Sequence, residues 1–332
     1  MSQTIAVIGD GAWATVCSLM LVENGHRARM WTPFADNAAA ITERHVNEKY
    51  LPEAKLPPSL EATTDAAAVF AGASLVLHTT PTQFIRRAWA PLREHCPRGL
   101  AVCSVSKGIE NSTLMRPTQV LADVLGGGHP LAALSGPSIA PEVLRRLPAT
   151  VVAASEDESL GRHIQGLISR PYFRVYTNAD LPGVELAGAT KNVIAIAAGM
   201  LDGLRAGDNA KAALLTRGLV EITRLGLALG AKAETFAGLA GMGDLVTTCI
   251  SPVGRNRSFG EAVGKGLGVQ QAQAQINGVV EGIATTASVV ELARRVNVDM
   301  PITAAIHEVL FNAASPAGAI TALMARPLRA EN

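Results

Sequence analysis

Short apolar runs recur along the first half of the chain, and they constrain its fold more than any other feature of the sequence. The runs are almost continuously apolar instead of alternating, which is typical of strands buried on both faces of a sheet. Segments with helical spacing separate them, and strands that alternate with helices form βαβ units in a mostly parallel sheet. The predicted strands are Thr4–Ile8, Ala28–Trp31, Leu75–His78, Leu100–Val105, Ala132–Leu134, Thr150–Ala154 and Arg174–Tyr176.

The segment IAVIGDGAWA covers the first predicted strand and the turn after it, and it fits the pattern G-x-G-x-x-G/A with Gly9, Gly11 and Ala14. The first glycine permits the tight turn, the second lets the backbone approach a pyrophosphate, and a small third residue lets the helix pack on the sheet. A helix that begins near Ala12 directs free N–H groups at the phosphates. The sequence therefore predicts a dinucleotide site at this turn.

The second predicted strand does not decide between NAD and NADP. The acidic residue expected at its end is missing, Asp36 comes slightly late, and no arginine follows the strand directly. Phe34 is placed to pack on the adenine, although a flanking aromatic residue is as often simple surface packing. The choice of cofactor stays open at this point.

After about residue 178 the strand-like runs give way to long helical periodicity. Asp180 is suited to cap the first long helix, and Pro182 is tolerated in its first turn. Loops are predicted within this half at Ser251–Gly254 and Pro316–Gly318. An amphipathic stripe is formed by Leu215, Leu219, Ile222, Leu225 and Leu229.

The fold class that follows is α/β with two domains. Residues 1–178 are predicted to form a Rossmann-like, doubly wound and mostly parallel dinucleotide-binding domain, and residues 179–332 an all-helical substrate and catalytic domain.

Composition limits the partners of the chain. Its 332 residues include 29 basic and 28 acidic ones, a net charge of +1, so there is no electrostatic case for nucleic acid or an anionic membrane. No apolar run is expected to approach the ~20 residues needed to span a bilayer, and the N-terminus lacks the basic region of a signal peptide. Neither the four cysteines nor the seven histidines show metal-ligand spacing. We predict a reduced, cytoplasmic protein that needs no metal.

Two segments lie just past predicted strands, where a parallel sheet binds its ligands. Lys107 lies between Ser106 and Gly108 in SVSKGIE, and Gly136-Pro137-Ser138 lies in LSGPSIAPEV. A loop lysine is usually only solvated, but the carboxyl end of a strand makes Lys107 a candidate ligand-binding residue.

In the stretch VELAGATKNVIAIAAG, helical spacing puts Gly188, Lys191, Asn192 and Ala195 on one face. Two of the four have almost no side chain, so a small ligand has room beside the ammonium and the amide. The alternative is that the small residues let another helix pack closely and Lys191 extends to solvent.

A third cluster lies in GLAGMGDLVTTCISPVGRNRSFG. Asp244 follows three glycines and precedes apolar residues, where a carboxylate can be buried beside a cation. Its position suits a helix N-cap equally, and the two roles are compatible. Arg255-Asn256-Arg257 follows Pro252 and Gly254, and arginine and amide donors at a turn suit a phosphate. A solvated basic turn is the alternative there.

Together these segments resemble the NAD(P)-dependent glycerol-3-phosphate dehydrogenases of the bacterial type, from Ile5 to about Ile302. The matching pieces occur in the family's order: GDGAWA, SKGIE, SGPS with A and EV, VELAGATKNVIAIAAG, DNAKAALLTRG, GLAGMGDLVTTC, GRNR with FG, and VVEG.

The resemblance implies a 6-phosphogluconate-dehydrogenase-like fold, a homodimer without membrane insertion, and reversible reduction of dihydroxyacetone phosphate to sn-glycerol 3-phosphate for phospholipid synthesis. It implies a catalytic set of Lys191 as general acid/base with Lys107 and Asp244. The implied substrate-binding residues are Lys107, Gly136, Ser138, Lys191, Asn192, Asp244, Thr248, Gly254, Arg255 and Asn256. The implied residues for NAD or NADP are Gly9, Gly11, Ala12, Trp13, Phe34, Lys107, Ala140, Arg255, Val279 and Glu281.

The chain departs from the family pattern in three places. Ala14 replaces a glycine, AGATKN replaces the frequent GGALKN, and Pro33 and Phe34 stand where NADP-preferring members carry His or Arg. Two rival functions remain: a related two-domain hydroxyacid or hydroxyacyl dehydrogenase, and a non-catalytic dinucleotide-sensing module. The first is expected to lack the lysine and GRNR clusters together, and the second gives no role to Lys107, Lys191 and Asp244.

Overall fold

A computed structural model describes residues 1–328 and residue 330, and it divides the chain into two compact units. The first unit comprises residues 1–107 and 115–185; the second comprises the short segment Gly108–Leu114 and the chain from Leu186 onward. The division falls shortly after the predicted domain boundary at residue 178. The inclusion of Gly108–Leu114 in the second unit has no counterpart in the sequence prediction.

The first unit is built on one eight-stranded sheet with the order β3-β2-β1-β4-β5-β6-β7-β8. All neighbouring strands are parallel except β6 and β7, which are antiparallel. The strands are β1 (Thr4–Ile8), β2 (Arg27–Trp31), β3 (Glu61–Thr63), β4 (Ala73–His78), β5 (Ala101–Ser104), β6 (Leu131–Ser135), β7 (Ala149–Ala154) and β8 (Phe173–Asn178). The helices of this unit are α1 (Ala12–Glu23), α2 (Ala35–Glu43), α3 (Ile85–Trp89), α4 (Pro117–Leu125), α5 (Ala140–Leu144) and α6 (Glu158–Ile168).

The sheet is buried on both faces, as the continuous apolar runs predict. In β1, Ile5 and Val7 belong to one apolar cluster, whereas Ala6 and Ile8 belong to another, and all four are fully buried. The seven predicted strands are confirmed with small shifts of their ends. The eighth, β3, is a three-residue edge strand with the sequence EAT, so it offers no apolar run by which to recognise it.

The remaining helices are α7 (Leu181–Gly203), α8 (Asp208–Ala228), α9 (Ala233–Ala237), α10 (Asp244–Ile250), α11 (Arg255–Gly264), α12 (Val269–Ala274), α13 (Glu281–Arg295), α14 (Pro301–Phe311) and α15 (Pro316–Met324). The predicted cap of the first long helix is confirmed, because the backbone N–H of Gly183 donates to the Asp180 carboxylate at 3.0 Å. Of the predicted loops, Ser251–Gly254 lies between α10 and α11. The prediction at Pro316–Gly318 is wrong: Pro316 begins α15, and the Ser315 hydroxyl caps it by accepting from Gly318.

The expectation that no apolar run approaches membrane-spanning length is also wrong. Among the described residues, α7 alone has the length and apolar composition of a membrane span, with 23 residues. Its most apolar part is entirely buried inside the protein, as in the core helix of a folded domain. The interruption by Glu185, Lys191 and Asn192 hides this helix from a search for uncharged runs.

Glycines bring α7 and α11 into backbone contact within the second unit. A Cβ atom on Gly260 would collide with the carbonyl oxygen of Ile196, and one on Gly199 would collide with the backbone of Arg257. Gly203 and Gly264 meet in the same way. Close helix packing by small residues, one of the alternatives for this stretch, is therefore realised C-terminal to Lys191.

Candidate active site

The Gly-rich turn of the first unit has the geometry of a dinucleotide site. Gly9 has a φ of +122°, and a Cβ there would collide with the Thr79 hydroxyl, so only glycine fits. A Cβ on Gly11 would meet nothing within 4 Å, which leaves open space where a pyrophosphate approaches the N-terminus of α1. Ala14 is buried in the apolar cluster between α1 and the sheet, as its small size predicts.

The side chain of Asp10, between the two glycines, ties the turn to its surroundings. Its carboxylate accepts hydrogen bonds from Thr32 and Asn37, each at 2.7 Å. The Asn47 amide donates to the Asp10 carbonyl at 2.7 Å and to the Thr15 hydroxyl at 2.8 Å. All five residues are buried, so the turn is held in place before a ligand binds.

Three further strands end beside this turn. A Cβ on Gly9 would lie 3.3 Å from Cγ2 of Thr80, which follows β4. The Ser106 hydroxyl, after β5, donates to the Thr80 carbonyl at 2.6 Å. Lys107 Nζ donates to the carbonyl of Gly136, after β6, at 3.1 Å. Lys107 and Gly136, both predicted to lie at the carboxyl edge of the sheet, are thus in direct contact.

Backbone strain marks the loop after β6. Gly136 has a φ of +134°, and a Cβ there would lie 2.9 Å from Cα of Val151, so this position requires glycine. The Ser138 hydroxyl donates back to the Gly136 carbonyl at 3.0 Å. The same carbonyl thus orients both Lys107 and Ser138.

His78, at the end of β4, is a buried group that the sequence did not single out. The Trp89 indole donates to Nδ1 of His78 at 3.1 Å, so the ring proton belongs on Nε2, which lies 3.1 Å from the Thr80 hydroxyl. Burial lowers the pKa of His78 to about 3. The ring is therefore neutral near pH 7 and fixes Thr80 beside Gly9.

In the second unit, Lys191 forms a buried ion pair. Its Nζ lies 2.5 Å from Oδ1 of Asp244 and 2.5 Å from the hydroxyl of Thr248. Lys191 is only 5% exposed and Asp244 only 2%. Extension of Lys191 to solvent is therefore excluded, and the predicted burial of Asp244 beside a cation is confirmed.

Local backbone geometry explains how Asp244 reaches this position. It follows a π-helical turn, Leu239–Gly243, in which the N–H of Gly243 donates to the carbonyl of Gly238. A Cβ on Gly241 would collide with the backbone of Phe236, so the turn depends on that glycine. Asp244 itself has helical φ and ψ angles of −73° and −32°. The N-cap interpretation is therefore wrong, because α10 begins at Asp244 and its N-cap position is occupied by Gly243.

Asn192 is oriented by a relay of amide groups. The backbone N–H of Gly282 donates to Oδ1 of Asn256 at 2.9 Å, and Nδ2 of Asn256 donates to Oδ1 of Asn192 at 3.0 Å. The relay therefore ends at the side-chain amide of Asn192, whose Nδ2 is a hydrogen-bond donor. The predicted pair Asn192 and Asn256 is brought together in this way.

Arg255 and Asn256 are the first two residues of α11, whose N-cap is Gly254. Arg255 is exposed, and a Cβ on Gly278 (φ +98°) would lie 3.1 Å from its Nη1. Val279 follows Gly278 directly, and Glu281 begins α13. The predicted residues near Arg255 are thus neighbours of one another within the second unit.

The other predicted cofactor residues lie in the first unit. Ala12 and Trp13 open α1, and Trp13 packs against Phe173 with ring centroids 6.0 Å apart. Ala140 opens α5. Phe34 precedes α2 and is 44% exposed. Nζ of Lys49 lies 4.0 Å from the centroid of the Phe34 ring, although no sequence pattern singles out this lysine.

The fold and the two sets of residues define a class. A Rossmann-like unit with a preformed dinucleotide turn accompanies a helical unit that holds a buried lysine paired with a carboxylate, and this is the construction of a nicotinamide-dependent dehydrogenase. The sequence matches the family of NAD-dependent glycerol-3-phosphate dehydrogenases in both halves, with the N-terminal part at residues 4–161 and the C-terminal part at residues 180–321. The chain belongs to this family, and it is an NAD(P)-dependent oxidoreductase.

The similarity to individual relatives extends over nearly the whole length of both chains. The chain is 44% identical to the glycerol-3-phosphate dehydrogenase [NAD(P)+] of Geobacillus kaustophilus, over 99% of this chain and 96% of that one. It is 45% identical to the glycerol-3-phosphate dehydrogenase [NAD(P)+] 2 of Mycobacterium tuberculosis, over 100% and 99%. The crystal structure of the Coxiella burnetii glycerol-3-phosphate dehydrogenase superposes with a TM-score of 0.94 at 36% identity and covers 98% of this chain and 99% of that one.

Proposed function

We propose that the chain interconverts dihydroxyacetone phosphate and sn-glycerol 3-phosphate, with Lys191 as the general acid/base. The observation that carries this assignment is the buried pair of Lys191 and Asp244, with Thr248 on the same ammonium. Burial of a charged group costs free energy unless the group is paired. A role in proton transfer explains why a lysine occupies this buried position. The names of the relatives support the choice of substrate.

A bound nicotinamide supplies the hydride that reduces the ketone carbon. As the carbonyl oxygen gains negative charge, the Lys191 ammonium donates a proton to it, and the product is the secondary alcohol. Asp244 favours the charged form of Lys191 that this step requires. In the oxidation direction Lys191 accepts the proton, and the Asp244 carboxylate stabilises the resulting ammonium.

Asn192 complements the lysine as a neutral donor. The relay from Gly282 through Asn256 holds its oxygen, so the Asn192 N–H groups are preorganised for a developing oxyanion. We assign Asn192 this role. Because the amide is oriented before substrate binds, little reorganisation is needed in the transition state.

The start of α11 is assigned to the substrate phosphate. Arg255 provides a bidentate donor and the helix N-terminus adds N–H groups, which together suit a phosphate. From the family resemblance we also assign substrate binding to Gly254, Asn256, Lys107, Gly136 and Ser138. From the same resemblance we assign cofactor binding to Gly9, Gly11, Ala12, Trp13, Phe34, Lys107, Ala140, Arg255, Val279 and Glu281.

The biological setting follows from the reaction. The product is the backbone of phospholipids, and we propose that a cytoplasmic homodimer supplies it without membrane insertion and without a nucleic-acid partner. Light scattering of the purified protein tests the dimer, since a monomeric mass at working concentration would exclude it.

The reaction itself is tested by following the nicotinamide absorbance with dihydroxyacetone phosphate and either NADH or NADPH. Turnover is expected, and omission of the phosphate-bearing substrate should abolish it. Folded protein that binds cofactor but turns over with neither would favour a dinucleotide-sensing module. Preference for an unphosphorylated hydroxyacid would instead favour the hydroxyacid dehydrogenase alternative.

A further inference from the structure

The adenosine end of the cofactor site lacks both usual recognition groups. An acidic residue after β2 normally binds the ribose 2′-hydroxyl of NAD, and an arginine nearby accommodates the 2′-phosphate of NADP. Here Thr32 occupies the position after β2, and its hydroxyl donates to Asp10 and accepts from the N–H of Phe34. Thr32 is completely buried, so its hydroxyl serves the protein and not the ribose.

A cation from elsewhere in the sequence lies at this position. Lys49 Nζ is 4.0 Å from the centroid of the Phe34 ring and 5.0 Å from that of Tyr50. A cation over an aromatic face is attracted to it. The two rings therefore hold the ammonium beside Phe34, the residue directly before α2.

The backbone that carries Lys49 is fastened to the dinucleotide turn itself. Asn47, two residues earlier, is fully buried and donates to the Asp10 carbonyl. The N–H groups of Tyr50 and Leu51 return to the Asn47 carbonyl, and Leu51 is buried. Lys49 is thus at the exposed tip of a tight turn whose base is anchored to the peptide between Gly9 and Gly11.

The charges around Lys49 leave it available as a cation. A hydrogen bond with Tyr50 raises the pKa of Lys49, and the carboxylates of Asp10 and Asp36 act in the same direction. The Asp10 carboxylate already accepts from Thr32 and Asn37. Asp36, in the first turn of α2, is the acidic group that competes with a phosphate for the ammonium.

We propose that Lys49, held by the rings of Phe34 and Tyr50, binds the 2′-phosphate of NADP and gives this chain a preference for NADP(H) over NAD(H). The proposal rests on the cofactor function of the Gly9–Gly11 turn described above. The ammonium is a point charge, so it distinguishes a phosphate from a hydroxyl by charge rather than by shape.

The test uses ligands that carry no nicotinamide, so it does not depend on turnover. Calorimetric titration of adenosine 2′,5′-bisphosphate and of adenosine 5′-monophosphate compares the parent with Lys49→Met. We expect the bisphosphate to bind the parent more tightly than the monophosphate, and Lys49→Met to weaken the bisphosphate about three- to fivefold. Binding of the monophosphate should be unchanged, with less than about a 1.3-fold difference in affinity.

Lys55→Met is the matched control, because Lys55 is exposed in the same connection between α2 and β3 and the change in net charge is identical. It should leave both affinities unchanged. Equal weakening of both ligands by Lys49→Met, or equal affinity of the parent for both, would overturn the proposal. A loss of bisphosphate affinity in Lys55→Met as large as that in Lys49→Met would also overturn it, since net charge alone would then explain the effect.

These outcomes are separate from the proposed reaction. Absence of turnover with dihydroxyacetone phosphate would refute the reaction while leaving the bisphosphate titration interpretable. Conversely, a protein that turns over but binds the two adenosine ligands equally would retain its reaction and lose the proposed role of Lys49.

Discussion

The ammonium nitrogen of Lys191 lies 2.5 Å from a carboxylate oxygen of Asp244, although the two residues are 53 positions apart in the sequence. Both side chains are almost fully buried, and neither charge has bulk water beside it. Such a pair is rarely a net source of stability, because desolvation of both ions offsets their attraction. Its presence in the core of the second unit is therefore best explained by function.

Replacement of Lys191 by alanine should remove the proton donor. We expect kcat to fall by roughly 10²–10⁴, the usual range for loss of a positioned acid/base. The KM for dihydroxyacetone phosphate should change much less. Steady-state kinetics on protein that still binds cofactor checks this, and a kcat within about tenfold of the parent would exclude Lys191 as the catalytic group.

Replacement of Asp244 by asparagine should destabilise the fold as well as the reaction. The variant leaves a buried ammonium beside a neutral amide, and loss of one partner of a buried pair costs about 3–5 kcal/mol. Urea unfolding of the parent, Asp244→Asn, Lys191→Met and the double variant measures the coupling. A coupling free energy below about 0.5 kcal/mol would mean that the two groups do not interact energetically.

Replacement of Arg255 by alanine should weaken the binding of the substrate phosphate. Loss of a charged hydrogen bond costs roughly 1.5–3 kcal/mol, so KM should rise about 10- to 150-fold. Dihydroxyacetone, which lacks the phosphate, provides the control, because its weak turnover should be insensitive to the substitution. An unchanged KM for the phosphorylated substrate would remove Arg255 from the phosphate site.

The buried His78 predicts a specific loss of stability in acid. Burial lowers its pKa from 6.5 to about 3, so the unfolded chain takes up a proton near pH 6.5 that the folded protein refuses until about pH 3. The contribution is complete above pH 6.5 and is lost as pH falls, by about 1.4 kcal/mol per pH unit in that window.

The variant His78→Gln isolates this contribution, since glutamine retains hydrogen-bonding capacity without titrating. The free energy of unfolding, measured in urea between pH 4 and pH 7, should depend less steeply on pH in the variant by about one proton. Parallel curves for the two proteins would show that His78 has the same pKa in the folded and unfolded states, which would contradict the effect of burial.

The sequence predicts those parts of the molecule in which neighbouring residues carry the information. The strands of the sheet are recognisable because each apolar run is local, and the turn at Gly9 and Gly11 is recognisable by its spacing. The short strand β3 is missed because it lacks such a run. The helical start at Pro316 is missed because proline and glycine also mark loops, and only the Ser315 cap distinguishes the two.

The site residues that escape prediction act through distant contacts. Lys49 reaches Phe34 only because Asn47 anchors its turn to Asp10, and nothing in the local pattern shows this. In the sequence, His78 cannot be distinguished from an ordinary strand residue. Only the structure shows that Trp89 and Thr80 form hydrogen bonds with its two ring nitrogens. The partner of Lys191 was recognisable as a buried acid, but the π-helical turn that orients it depends on contacts of Gly241.

The glycine contacts between α7 and α11 have a mechanical consequence. No side chain separates the two helices where Gly260 meets Ile196 and Gly199 meets Arg257, so no rotamer change can loosen or tighten that joint. The spacing between Lys191 on one helix and Asn256 on the other is consequently as stiff as the backbone. Substitutions near these contacts can change the side chains that project from the two helices. They cannot change the distance between the helices without rebuilding the fold.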